Sequence, residues 1–324
     1  MATGTRPGTS PGTGPGAGSG SPGRRGTGSG SGPGRGPRRG PAARLVALLR
    51  PRPGSRPAYG AGIGAALWLL VVCVPLYYLV ATSLRGPGDY MSQGPLSVPE
   101  TLTLDNYRNV FEVGFLGFLT NSLIVAFGAI LLVLLVAVPA AFAIVRSRSR
   151  AVRISFTLFL LGLAVPAQAV IIPIYLIITR LNLYDSLPAI ILPTAAFTLP
   201  ISIVVLTSSL RDVPGELYEA MALDGAATWQ VFLRLVLPLS RPGVVTVAIF
   251  VGLNAWNNFI FPLVLTQSES NRVLPLGLWA FQTQYGTDVP GLMAAVVLST
   301  IPILALYLFG RRHLLSGLAA GFGK

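Results

Sequence analysis

Six stretches of this chain contain no Asp, Glu, Lys or Arg: residues 57–84, 113–145, 154–179, 186–210, 242–268 and 289–310. A bilayer core needs about 20 residues of helix, so each is long enough to cross, and the two longest include flanking loop residues. Of the 324 residues only 11% are charged and 52% are hydrophobic. An average soluble domain carries about 25% charged residues, so the deficit indicates an integral membrane protein. The expected fold is all-α and polytopic, with six transmembrane helices and both termini on one side.

Basic residues decide which side, because cytoplasmic loops carry an excess of Lys and Arg. With the N-terminus inside, the inner segments 1–56, 146–153, 211–241 and 311–324 hold 20 Lys and Arg. The outer segments hold four: Arg85, Arg108, Arg180 and Arg272. Both termini are therefore expected in the cytoplasm, together with the 211–241 loop.

The net charge of +13 belongs mainly to a tail: residues 1–58 hold ten arginines and no acid. That segment is Gly, Pro, Ser, Thr, Ala and Arg and cannot bury enough apolar surface to offset its ordering entropy. It is read as a disordered cytoplasmic tail, 1–58, ahead of a transmembrane domain, 59–324. No aromatic residue interleaves with its arginines, so nucleic acid is not an expected partner. Anionic membrane lipid is. Arg24-Arg25 and Arg38-Arg39 lie too far from the first apolar run to be a twin-arginine export signal.

Several chemistries are disfavoured. Cys73 is the one cysteine and sits in an apolar run, so no disulfide framework or Cys-rich metal site is possible. His313, the one histidine, follows Arg311 and Arg312 and reads as part of a basic interfacial anchor. No metal or cofactor is expected. No Walker A sequence is present, and no paired carboxylates sit in an apolar run, so the chain is not expected to be an enzyme. No acid or base lies at mid-membrane, as a proton- or sodium-coupled carrier usually requires. An energy source must come from another chain.

What remains inside the runs is proline and a few amides. Pro75, Pro139, Pro166, Pro173, Pro193, Pro200, Pro262 and Pro302 predict a packed, kinked bundle, since a broken helix survives in lipid only beside protein or a water cavity. Asn121, Gln168, Asn254, Trp256, Asn257 and Asn258 are the candidates for lining a pathway. Amides bond to hydroxyl groups and an aromatic ring stacks on a C–H face, which suits a neutral hydroxylated solute. Interhelical hydrogen bonding is the competing use of the same residues.

The stretch Val213–Pro238 reads as two short helices around a sharp turn. Pro214 suits a first helical turn, and Asp224-Gly225 signals a helix end. Thr228 is placed to cap the second helix. Trp229, Phe232, Leu233 and Val236 fall at i, i+3, i+4 and i+7, one apolar face.

Glu219-Ala220-x-x-x-Asp224-Gly225-Ala226, with Phe232 and Pro238 downstream, resembles the EAA loop of ABC importer permeases. Met221 departs from the pattern, standing where the third motif residue is usually Ala. The tail Leu315-Ser316-Gly317-Leu318-Ala319-Ala320-Gly321 resembles the C-terminal tail of the maltose-type second permease subunit. Weaker matches in order support that branch: Asp105-Asn106-Tyr107, Pro166-x-Gln168, Ile172-Pro173-Ile174-Tyr175, Trp256-Asn257-x-Phe259 and Leu274-Pro275-Leu276-Gly277-Leu278.

The resemblance implies a carbohydrate importer subunit whose coupling loop, with Glu219, Ala220, Asp224, Gly225 and Ala226, meets an ATPase. Gly317, Leu318, Ala320 and Gly321 would reach toward the ATPase subunits. The implied partners are a second homologous permease subunit, two ATPase subunits on the cytoplasmic side and an external solute-binding protein. The rivals are a permease for another solute, such as a polyamine or phosphonate, and a non-transporting scaffold with a basic tail.

Overall fold

Long apolar runs without charge form helices because the backbone then satisfies its own polar groups. A computed structural model of the chain describes residues 59–322, apart from 93, 95, 148, 284 and 285, and most of them are helical. The expected disorder of 1–58 lies outside the described residues. The chain divides into Met1–Ile63 and Gly64–Lys324; of the first unit only residues 59–63 are described.

The longer helices are α1 (Tyr59–Ser83), α2 (Phe115–Arg146), α3 (Arg150–Gly162), α4 (Ile171–Arg180) and α5 (Leu187–Arg211). They are followed by α6 (Gly215–Leu223), α7 (Thr228–Leu239), α8 (Arg241–Trp256), α9 (Ile260–Leu265) and α10 (Val289–Phe322). Among the described residues three helices are long and apolar enough to span, Gly62–Ser83, Phe115–Arg146 and Leu187–Arg211. The number rises to five if each of two bent pairs is one span, and Val289–Ala305 is a shorter apolar helix.

Two of the expected single stretches are broken. Residues 154–179 bend by 95° between Gly162 and Ala167. Pro166 is extended there (φ −72°, ψ 132°) and cannot continue a helix from Val165. Stretch 242–268 ends its first helix at Trp256 and resumes at Ile260. A further 70° bend separates α7 from α8, with Pro242 in the first turn of α8. A two-residue hairpin, Gln282–Thr283 with Gly286–Thr287, adds the described strands.

The core lies where α2, α5 and α8 pack on one another. Small residues permit the approach: a Cβ on Gly243 would stand 2.7 Å from Ser209 Oγ. Val133, Ala137, Ile203, Leu206, Val247 and Val251 fill the contact and are buried. Burial is deepest in α5 and less in α2, whereas α1 is buried only at its end, Ala81–Ser83, so α5 is the central helix and most of α1 shows its apolar side chains outward. Hydroxyls follow the prolines of α5: Thr198 Oγ1 donates to the Thr194 carbonyl (2.8 Å), and Ser202 Oγ to that of Thr198 (2.7 Å).

At the end of the bundle where α5 begins, Asp185 stitches two loops together. Its backbone is left-handed (φ 57°). Its carboxylate accepts from the Gln267 and Ser268 N–H groups at 2.9 and 3.0 Å and from the Ser268 hydroxyl. The Ser268 hydroxyl bond, then those two backbone N–H groups, hold the Asp185 carboxyl well below the usual carboxylate range. The same loop is tied to α2: Asn121 Nδ2 donates to the Ser270 and Arg272 carbonyls at 2.7 and 2.9 Å, and Leu274 N–H to Ser122 Oγ at 2.8 Å.

A depressed folded pKa makes this stitch strongest when Asp185 is ionised. Its stabilisation is complete above the unfolded Asp pKa of about 3.9 and is lost as pH falls through the lower folded value. Hydrogen exchange at Gln267 and Ser268, corrected for intrinsic rates, should stay slow down to pH about 4 and accelerate below it. In Asp185→Ala it should be fast throughout; equal protection in the variant would contradict the assignment.

Candidate functional site

The loop between α5 and α8 is built by backbone rules that its sequence satisfies. Pro214 (φ −57°, ψ 134°) stands just before α6 and not inside its first turn as expected. Glu216 lies in that first turn, where the helix dipole favours a negative charge. The helix ends in a Schellman motif: Ala226 N–H bonds to the Met221 carbonyl (3.0 Å) and Gly225 N–H to that of Ala222 (3.1 Å). Gly225 closes it with φ +73° and open space around its Cα. Its left-handed backbone, and not crowding, is what calls for glycine.

Thr228 does not cap α7. Ala227 is the cap residue, and its N–H donates to Gln230 Oε1 at 2.8 Å. The expected apolar face of α7 is also divided: Val236 is buried and Phe232 partly so, whereas Trp229 is 61% exposed and Leu233 48%. The cause is a π-helical turn, Phe232–Val236. Pro238 has no N–H to offer the Arg234 carbonyl, and its ring crowds that carbonyl. The turn widens instead, with Leu237 N–H reaching Phe232 O. The widening rotates the residues after it relative to those before.

Glu219, Ala220, Asp224 and Gly225 are exposed and Ala226 is partly buried. With Leu223, 90% exposed, they form the outward surface of the loop. The inward side of α6 is one buried residue, Tyr218. The Arg146 guanidinium carbon lies 4.5 Å from its ring centroid. Burial pushes the Tyr218 phenol above its ordinary pKa, against the Arg146 charge, which pulls it down. The phenol is therefore neutral at physiological pH. Phe142 meets Phe232 on the other arm, with ring centroids 5.7 Å apart.

The second feature is a cavity of about 540 Å³ where α5, α8 and α9 meet. Such a volume falls within the usual range for small-molecule sites, about 300–1,000 Å³. Asn254, Asn257 and Asn258 line it, with Thr194, Thr198, Phe197, Phe259 and Phe261, and among the described residues no lining side chain is ionisable. Asn254 Nδ2 donates to the Phe250 carbonyl (2.9 Å) and Asn257 Nδ2 to that of Leu253 (2.8 Å). Only the amide nitrogen can bond a carbonyl, which fixes both side chains and leaves each Oδ1 as an acceptor. Asn258 lies in the helix break: its Nδ2 donates to Thr194 Oγ1 (3.1 Å) and its Oδ1 accepts from Phe261 N–H (3.2 Å).

The other pathway candidates lie elsewhere. Trp256 is buried among Val110, Phe115, Phe118, Leu274 and Phe281 in a second core cluster. Asn121 is engaged with the 270–272 backbone. Gln168 is exposed and directly follows Ala167, which lines the cavity. Gly317, Leu318, Ala320 and Gly321 fall in the last turns of α10. Sequence reasoning missed Thr194, Phe197 and Thr198, whose i, i+3, i+4 spacing between Pro193 and Pro200 places them on one face. It also missed Tyr218 and Arg146, for which the sequence offers no local signal.

A broken, kinked bundle with a two-helix loop outside it matches a known class. Residues 133–319 match the family of binding-protein-dependent transport system inner membrane components. ORF2 of Caldicellulosiruptor sp. (strain Rt8B.4), named an ABC transporter permease protein, is 38% identical over 259 residues, covering 80% of this chain and 94% of the relative. The diacetylchitobiose uptake system permease protein NgcG of Streptomyces coelicolor is 32% identical over 258 residues, covering 79% of this chain and 85% of the relative. The crystal structure of a bacterial ABC transporter involved in import of the acidic polysaccharide alginate shares the fold, with a TM-score of 0.70 at 18% identity over 85% of this chain and 99% of that one. The chain belongs to the binding-protein-dependent transport system inner membrane component family. It is a multi-pass inner-membrane permease subunit of an ABC importer, working with other transporter subunits and a solute-binding protein.

Because Gly225 is chosen for its backbone, Gly225→Val should strain the turn by about 1–2 kcal/mol. Gly225→Asn should be milder, since Asn tolerates the left-handed region. Limited proteolysis of membranes should cut the valine variant faster between 222 and 228 while the bundle stays intact. Equal cleavage of all three proteins would refute the conformational role.

Proposed function

We propose that the solute is an uncharged saccharide that passes through the cavity between α5, α8 and α9. We further propose that Glu219, Ala220, Asp224, Gly225 and Ala226 form the surface on which an ATPase subunit acts. The observation that carries the first part is the cavity lining: three asparagines, two threonines and three phenylalanines beside Ala167, Leu253 and Ile260, with no ionisable group among the described residues. Hydroxyl groups match the amide and threonine atoms, and sugar C–H faces match the rings. A carboxylate would find no cation there, which separates this reading from an acidic substrate such as alginate. That NgcG belongs to a diacetylchitobiose uptake system supports a saccharide.

In this reading the chain crosses the membrane six times, with both termini and the 211–241 loop in the cytoplasm. The 20-to-4 distribution of basic residues supports that orientation. Residues 1–58 form a tail at the cytoplasmic surface, and 59–324 the permease domain. A second homologous permease subunit completes the pathway, two ATPase subunits dock inside, and the binding protein delivers solute outside. The α10 terminus, with Gly317, Leu318, Ala320 and Gly321, extends toward the ATPases. ATP-driven closure of the ATPase pair moves the loop and shifts the population between inward- and outward-open forms.

A host lacking this chain should lose growth on at least one neutral di- or oligosaccharide and keep growth on uronates. Wild type restores growth; Asn254→Leu with Asn257→Leu does not, although its ATPase subunits still co-purify. Glu219→Ala fails at the other step. Truncating one partner of a desolvated interfacial charge pair costs about 2–5 kcal/mol, so ATPase affinity should fall about 30-fold or more. Loss of growth on uronates alone would overturn the neutral-saccharide reading. Full ATPase binding by Glu219→Ala would overturn the docking reading.

A further inference from the structure

The chain joins the 213–239 loop to α5 and α8, and nothing in the covalent order links it to α2. The side chains do. Tyr218, on the first arm, is buried under the Arg146 guanidinium at 4.5 Å. Phe232, on the second arm, meets Phe142 at 5.7 Å. Residues 142 and 146 are four apart on one helix, so they share a face one turn apart. Both arms are thus held to the same face of the same helix. Among the described residues the buried Tyr218 hydroxyl has no hydrogen-bond partner. The ring face is therefore what the contact uses.

The other end of that helix is held as firmly. Asn121 and Ser122 bind the backbone of residues 270–274 through three hydrogen bonds of 2.7–2.9 Å. From residue 121 to 146 is about 38 Å along an α-helix, so one element touches the loop at one end and the 270–274 segment at the other. We propose that α2 is a strut that carries movement of the loop across the membrane to residues 270–274, and that Arg146 and Phe142 are the positioning residues that attach the loop to it. The inference rests on the reading of the loop as the ATPase contact.

The test uses the complete complex in proteoliposomes, with Cys73→Ser and Ser270→Cys in this chain and a maleimide as the probe. In otherwise wild-type protein, ATP with orthovanadate should change the labelling rate at position 270 severalfold. That response should vanish in Arg146→Gln and in Phe142→Ala with Phe232→Ala, while the ATPase subunits still co-purify and hydrolyse ATP. Arg146→Lys, which keeps the cation, and Tyr218→Phe, which keeps the ring, should retain it. A full response in Arg146→Gln overturns the proposal, as does an absent response in the parent. Failure of the underlying loop reading shows differently: ATPase subunits would then bind equally well to Glu219→Ala. Variants that misfold are recognised by lost co-purification, and the lysine and phenylalanine variants then decide: loss of response in both, with assembly intact, also overturns the proposal.

Discussion

A peptide group inside a bilayer has no water to bond, and every break in a helix must supply a replacement partner. The breaks in this bundle follow that rule. Asn258, in the interruption between α8 and α9, accepts from Phe261 N–H at the start of α9 and donates to Thr194 on α5. Within the continuous α5, Thr198 and Ser202 turn their hydroxyls back onto the Thr194 and Thr198 carbonyls, one turn earlier. Asn258, Thr194 and Thr198 are thus held by helix contacts and line the cavity as well. A cavity lined by amides and hydroxyls is therefore a by-product of how these helices are held.

The charge-free runs mark α1, α2 and α5 to within a residue or two, because length without charge is a strong signal for helix in lipid. Asp224-Gly225 likewise marks its turn, since few residues accept φ +73°. The direction of a run is not legible in this way. Pro166 signals a kink within residues 154–179, but that the chain turns by 95° there is seen only in the structure. Neither is the facing of a side chain read from its polarity. Asn254 and Asn257 are three apart and share a face, whereas Trp256 is turned away by the helical period and packs with Phe115 and Phe118.

Long-range partners explain the remaining differences. Arg85 reads as an external charge flanking the first run, yet it is fully buried. Its Nη1 donates to the Gly94 carbonyl (3.1 Å), and its Nη2 to Ser97 Oγ (2.9 Å) and the Ser97 carbonyl. Asn106 Nδ2 closes the same knot by donating to the Ser83 and Arg85 carbonyls. Arg146 reads as one inner charge among four in 146–153, and the structure sets it over a tyrosine 72 positions away. Such contacts depend on which helices become neighbours, which no local pattern encodes.

The loop therefore has two unlike surfaces. Its outer one carries Glu219, Leu223 and Asp224 into solvent, and its inner one is an aromatic attachment to α2. If the two move together, spin labels at Thr228 and Ser147, one on the loop and one just past the end of α2, should report it most directly. The account predicts one distance distribution, the same without nucleotide and with ATP bound to the assembled complex. A shift or a second population on adding ATP would mean that the loop slides on α2, contradicting the account.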